Sequence, residues 1–210
     1  MTINTEDLLN SILGSLSRID YIKPNDFPDI ALYMDQVTTF MDSHLTASKR
    51  HSQDKVLTKT MINNYAKNNL LPPPVKKKYS KEHLLTLIFI YYFKNILTIN
   101  DIQSILNPLT GKYFGEEIGF NLEDIYEEVF HLEKDQVERM KEDIILKFEV
   151  SRSTFPNAPE QDSEFLQMFS FICLLSFDVY VKKQLIEKMI DSLQEKDTSE
   201  KTEKHKKTEE

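Results

Sequence analysis

The sequence predicts an all-α protein, and three observations carry that reading. Apolar residues recur at spacings of three and four along most of the chain. Only 4 glycines and 8 prolines occur in 210 residues, too few for the tight turns of an all-β chain. Hydrophobic residues make 40% and charged residues 29%, which is enough apolar side chain to bury a core and too much for a disordered chain. The same counts exclude several functions. Three of the glycines, Gly111, Gly115 and Gly119, crowd one segment without the spacing of a dinucleotide fingerprint or P-loop. A single cysteine, Cys173, excludes an internal disulfide and a multi-cysteine zinc site. The polar start Met1–Asp7 lacks a signal pattern, so a cytoplasmic protein is expected.

The elements follow in order. Residues 1–19 hold an N-terminal helix, with Leu8, Leu9, Ile12, Leu13 and Leu16 as its stripe and Thr5 as its cap. Asp29–Leu45 predicts a second helix, and Thr46–Val56 a basic loop. Thr58 caps a short helix that ends near Asn69. Pro72-Pro73-Pro74 breaks it, and Val75–Tyr79 reads as a basic, strand-like stretch. Ser80 starts a long apolar helix through Leu97, and Thr98-Ile99-Asn100-Asp101 opens the next with a capping-box pattern. Pro108 and the three glycines place a domain boundary there. Beyond it, Asn121 caps a helix of about 28 residues with Glu123 and Asp124 in its first turn. Ser163–Leu193 is the last helix, and its apolar run Phe165–Val181 reads as the buried centre of a helical domain rather than a bilayer span. The organisation expected is 1–19, 20–107, a helical domain at 108–195, and a disordered charged tail at 196–210.

Charge is distributed unevenly. Residues 1–107 hold twelve Lys and Arg against ten Asp and Glu, and residues 108–210 hold fourteen against twenty-four. Between Lys49 and Lys81 nine basic residues meet one acid, Asp54. A polyanion is attracted to such density by counterion release. On the Thr58–Asn69 helix, Thr60, Asn63, Asn64 and Lys67 share one face, while Met61, Ile62 and Tyr65 lie on the other. Asn bonds adenine bidentately and Lys reaches guanine or phosphate. Thr60, Asn63, Asn64 and Lys67 are therefore the candidate base-facing residues. Lys59, Lys76, Lys77, Lys78 and Lys81 are the candidate phosphate contacts.

The run Met61-Ile62-Asn63-Asn64-Tyr65-Ala66-Lys67-Asn68-Asn69-Leu70-Leu71-Pro72-Pro73 resembles the recognition helix and turn of the MerR-type winged helix-turn-helix. Asn69 stands where that family has glycine, and Asn tolerates the left-handed backbone a helix end demands. Tyr79-Ser80-Lys81-Glu82-His83-Leu84 and Asn95–Ile102 resemble the family's next two helix starts. The resemblance spans about fifty residues and implies a MerR-like winged helix-turn-helix in residues 20–107, followed by a long-helix C-terminal domain. The chain departs from that pattern in an eleven-residue connection, Thr46–Val56, where such motifs have about three or four. It also has Asn63 and Asn64 where the family often carries Arg-Tyr. As a whole the chain resembles a bacterial family described as DNA-binding proteins of unassigned function, which implies transcription regulation and names no ligand.

No catalytic constellation stands out. The histidines (His44, His51, His83, His131, His205) lack ligand spacing, and Glu127-Glu128 and Glu142-Asp143 read as solvated helix charges. The expectation is a non-enzymatic regulator of transcription, without metal or cofactor, that binds double-stranded DNA. The C-terminal helices would form a C2 homodimer or cover a small-molecule effector. The alternative is a protein-interaction module that uses the winged helix or the acidic helical half, without sequence-specific DNA binding.

Overall fold

A computed structural model describes residues 5–16, 22–115 and 119–208. It is mostly helical. Seven α-helices are described: α1 (Thr5–Leu16), α2 (Met34–His44), α3 (Lys59–Lys67), α4 (Lys81–Phe93), α5 (Ile99–Tyr113), α6 (Leu122–Arg152) and α7 (Glu160–Thr208). The one sheet among the described residues is a two-stranded antiparallel ribbon of β1 (Leu32–Tyr33) and β2 (Lys78–Tyr79), with Leu32 opposite Tyr79 and Tyr33 opposite Lys78.

The centre is α4. Every residue from His83 to Tyr91 is buried, so the helix has no solvent side and its neighbours must enclose it. α5 and α6 pack on its body and β2 on its start. α2 packs against α3 and both strands. Core residues from these elements form one cluster with Ile22, Leu122, Tyr126 and Ile190. The Tyr126 hydroxyl donates 2.6 Å to the carbonyl of Ile22, tying the start of the folded region to α6.

Local signals set the helix ends. The Thr58 hydroxyl accepts from the Met61 N–H at 3.2 Å, and Thr98 does the same for Asp101 at 3.3 Å. The Asn121 side chain accepts from Glu123 and Asp124 at 2.8 and 3.2 Å. At the end of α3, Asn69 has φ 55°. Its N–H donates to Ala66, and the Leu70 N–H donates 2.9 Å to the Tyr65 carbonyl. That pair of bonds is the Schellman arrangement, which needs a left-handed residue where the helix stops.

The structure differs from the sequence reading in four places. The helix expected from Asp29 begins only at Met34, because Leu32 and Tyr33 are extended and pair with the ribbon. The boundary at 107/108 falls inside α5, which runs through Pro108 to Tyr113. There the Thr110 hydroxyl bonds the Leu106 carbonyl at 3.0 Å and the Gln194 amide reaches Ser104 at 2.8 Å, so α7 braces the proline turn. Helical backbone also continues through Thr208 where a disordered tail was expected. Finally, Phe165–Val181 is not a buried centre. α7 packs on α5 and α6, and Phe165, Phe169, Ile172, Phe177 and Tyr180 remain exposed on its other side.

The left-handed residue after α3 gives a direct stability test. Asn69→Gly should stabilise the fold by up to about 1 kcal/mol, and Asn69→Val should destabilise it by about 1–2 kcal/mol. Urea denaturation of the two variants should bracket the parent.

Candidate nucleic-acid interface

Two elements carry the basic charge, α3 and the ribbon turn, and both are held by α2. On α3, Ile62 and Tyr65 are buried and Met61 is half-buried. Burial holds the Tyr65 phenol above its ordinary pKa, so the ring is a neutral packing group. Lys59, Thr60, Asn63, Asn64 and Lys67 are all exposed. The structure thus puts the four predicted base-facing side chains together on the open side of one helix. The Gln103 amide of α5 bonds the Asn68 carbonyl and pins the C-terminal end of α3.

The ribbon turn is the second element. Val75 and Lys78 exchange both backbone hydrogen bonds, at 3.1 and 2.9 Å. The two central residues, Lys76 and Lys77, have φ of 50° and 64°. This is the type I′ hairpin turn, which requires positive φ at both positions and is dominated by Asn-Gly for that reason. Lysine there is strained by about 1 kcal/mol or more per residue. Lys76, Lys77 and Lys78 are exposed, and the Lys78 ammonium lies 5.2 Å from the centre of the Tyr33 ring.

Two of the predicted phosphate contacts stand differently. Lys59 pairs with Asp35 of α2, with both side chains largely exposed; such a pair is weak and exchanges readily for another anion. Lys81 is corrected. It is partly buried, pairs with Glu123 in the first turn of α6, and lies 5.9 Å from the Phe27 ring. The Glu123 carboxylate, next to the capping Asp124, holds it, so Lys81 is a strut between α4 and α6.

The connection between α2 and α3 is anchored rather than loose. Val56 and Leu57 are buried, the Lys94 ammonium donates 2.9 Å to the Val56 carbonyl, and Ser48 bonds the Tyr91 hydroxyl. Lys49 pairs with Asp42 at 2.6 Å, whereas Arg50 and Lys55 make no ion pair among the described residues. Thr38, Thr39 and Asp42 of α2 face Lys55, Thr58 and Thr60 across a 590 Å³ groove. The Thr38 and Thr39 hydroxyls already donate to the Asp35 carbonyl at 3.0 and 2.9 Å, so the donors left on the groove come from its Lys and α3 side.

Sequence reasoning did not identify His83. It is 2% exposed and stands at the N3 position of α4, where a capping box ordinarily has Glu or Gln. Its Nδ1 accepts from the Ser80 N–H at 2.9 Å. Its ring meets Tyr79 and Phe114 edge-on, and Nε2 lies beside the Pro72 and Pro73 carbonyls short of good hydrogen-bond geometry. The Ser-x-x-His spacing from Ser80 was the available signal. No group of His, Cys, Asp and Glu that could hold a metal occurs among the described residues.

Residues 22–129 match the model of the family described as Domain of unknown function (DUF1836). That is just over half of the chain, and the chain belongs to this family. The matched region runs from Ile22, the first buried residue among those described, through the ribbon, α2–α5 and the opening of α6. No curated protein and no solved structure is similar to the chain.

His83 generates a pH prediction. Desolvation holds its pKa below the ordinary 6.5, outweighing the nearby Pro73 carbonyl and the Glu82 charge. The unfolded chain therefore binds the extra proton first. This histidine's contribution is complete above pH 6.5 and is lost as pH falls toward the folded value. Thermal melts should show stability dropping on the acid side of neutrality. His83→Gln, which keeps a capping side chain and cannot titrate, should flatten that drop.

Proposed function

We propose that the chain is a DNA-binding regulator of transcription. In this reading α2, α3 and the β1–β2 ribbon act as a MerR-like winged helix-turn-helix. The observation that carries it is the exposed face Thr60, Asn63, Asn64 and Lys67 on a helix whose other side buries Ile62 and Tyr65. The face spans about two turns, enough side chain for a few base pairs in a major groove. α2 crosses behind α3 and supports the ribbon, as the first helix of such a motif supports both readout and wing.

The ribbon turn supports the reading from a second direction. Lys76 and Lys77 are retained at two positions where their backbone is strained. Stability does not account for lysine there; positive charge at the tip does, because a wing holds phosphate. Lys59, with its weak partner Asp35, and the exposed Lys67 extend the positive surface along α3. Asn63 and Asn64 are adjacent and point about 100° apart, so they address different base edges or one base and the backbone.

The test starts with selection of bound duplexes from a random pool. On the selected site, Asn63→Ala or Asn64→Ala should lose about 1–3 kcal/mol, with much smaller loss on random DNA. Equal losses on both would remove base readout from α3. A second variant separates charge from folding. Lys76→Asn with Lys77→Gly should raise stability by about 1 kcal/mol or more through relief of the turn. The same variant should weaken binding to every sequence and lower the salt slope by about 1 per lost phosphate contact. A more stable protein with an unchanged slope would exclude the ribbon as a wing.

A further inference from the structure

The N-terminal part of α7 carries apolar side chains that none of the described residues covers. Phe165, Phe169, Ile172, Cys173, Ser176, Phe177 and Tyr180 fall within one arc of the helix, and all seven are exposed. Phe165 and Phe177 are 70% and 64% exposed. The opposite side is occupied: Phe171 packs edge-on against Phe148 of α6 at 5.4 Å and Asp178 pairs with Lys147 at 2.6 Å, while at the edge of the arc, beside Phe177, Ser170 accepts from the Thr154 hydroxyl at 3.1 Å. α1 packs against α6 and leaves the strip open. An uncovered apolar surface of this extent marks an interaction site.

Two occupants fit an apolar helix face, a bilayer and another protein surface. By length and composition the segment Glu160–Glu195 could cross a bilayer. Its partner helix counts against that. α6 lies alongside it and carries Glu138, Arg139, Lys141, Glu142, Asp143, Lys147 and Glu149 at the same level. A bilayer would have to take up all of those charges with α7.

The strip also matches itself. The spacing of Phe165, Phe169, Ile172, Cys173, Ser176 and Tyr180 reads the same in both directions, four, three, one, three and four. In an antiparallel pair centred between Ile172 and Cys173, Phe165 faces Tyr180 of a second copy. Phe169 faces the small Ser176, and Ile172 faces Cys173. The charges agree as well. Asp162 stands at one end of the strip and Lys183, which pairs with Glu187 within the chain, at the other, so antiparallel pairing sets acid against base at both ends, whereas parallel pairing sets like against like. We propose that this strip is a homodimer interface in which two copies of α7 pair antiparallel about a two-fold axis between Ile172 and Cys173. A closed C2 contact of this kind buries the same surface on both subunits. It stands on α7 alone and does not depend on the DNA-binding reading.

The experiment uses the full chain with Cys173→Ser, so that engineered thiols are unique. One batch carries Phe169→Cys and another Ser176→Cys. Under mild oxidation the mixture should form a covalent dimer of one chain of each kind, and neither batch alone should crosslink efficiently. Self-crosslinking of Phe169→Cys would overturn the antiparallel register. Light scattering at micromolar concentration should give a dimer for the parent chain. Phe165→Glu with Phe169→Glu should give a monomer of unchanged helical circular dichroism, because both side chains are exposed within one subunit. A parent chain that is monomeric, or that leaves solution for phosphatidylcholine vesicles, overturns the proposal.

Discussion

A helix with no polar side can exist in water only if other elements wrap it, and α4 is that helix. Nine consecutive residues, His83 to Tyr91, are buried. Burial of so many aliphatic and aromatic side chains, at roughly 1.5–3 kcal/mol each, is the largest stabilising contribution any one element makes here. It also dictates the layout. α5 and α6 take the flanks of α4, the ribbon closes its start, and Tyr91 and Lys94 at its far end fasten the α2–α3 connection through Ser48 and Val56. The basic helix and the lysine turn are thus carried on a rigid support without belonging to the core. The surface can change its side chains while the support stays fixed.

How much of this was legible in the sequence depends on which force set each feature. Caps at Thr58, Thr98 and Asn121 are local chemistry, and they read directly. The packed and open sides of α3 follow from helical periodicity, and Asn69 at positive φ follows from its place after the last turn. Features set by distant partners did not read. Lys81 looks like any lysine of the basic run until α6 brings Glu123 to it. Tyr33 fits a helical stripe until β2 draws it into an extended pair. Pro108 marks a break by local rules, yet the α5 helix continues because α7 lies across it. The exposed strip on α7 was misread for a related reason: an all-round apolar pattern is the same whether the wrapping helices belong to the same chain or to a second one.

His83 shows how a core position can also be a weak point. A Glu or Gln at the third residue would complete the cap of α4 with less dependence on pH. Histidine instead fills the space between Tyr79 and Phe114 with an aromatic ring while its Nδ1 accepts from Ser80. The ring serves packing and capping together, and it does so only when neutral. Its neighbours are the end of the ribbon and the proline segment that leaves α3. A proton on His83 would therefore act first on the joint between the two basic elements, and only then on the core behind them.

The charge distribution gains meaning in three dimensions. The basic run between Lys49 and Lys81 is not uniformly free. Lys49, Lys59 and Lys81 each meet a carboxylate, at Asp42, Asp35 and Glu123. Those three pairs lie where the run touches α2 or α6, so they help hold its scaffold. Among the described residues, Arg50 and Lys55 on the α2–α3 connection, Lys67 on the outer side of α3, and Lys76, Lys77 and Lys78 on the turn make no ion pair. A basic stretch that only kept the protein soluble would have no reason to sort its charges this way. It would have less reason still to place two of them on backbone that favours glycine. The acidic half reinforces the sorting. Its excess of carboxylates lies along α6 and α7, away in sequence from the basic turn, and repels a polyanion from the long helices. On the DNA-binding reading proposed above, attraction in one region and repulsion in the other would orient an approaching duplex toward α3.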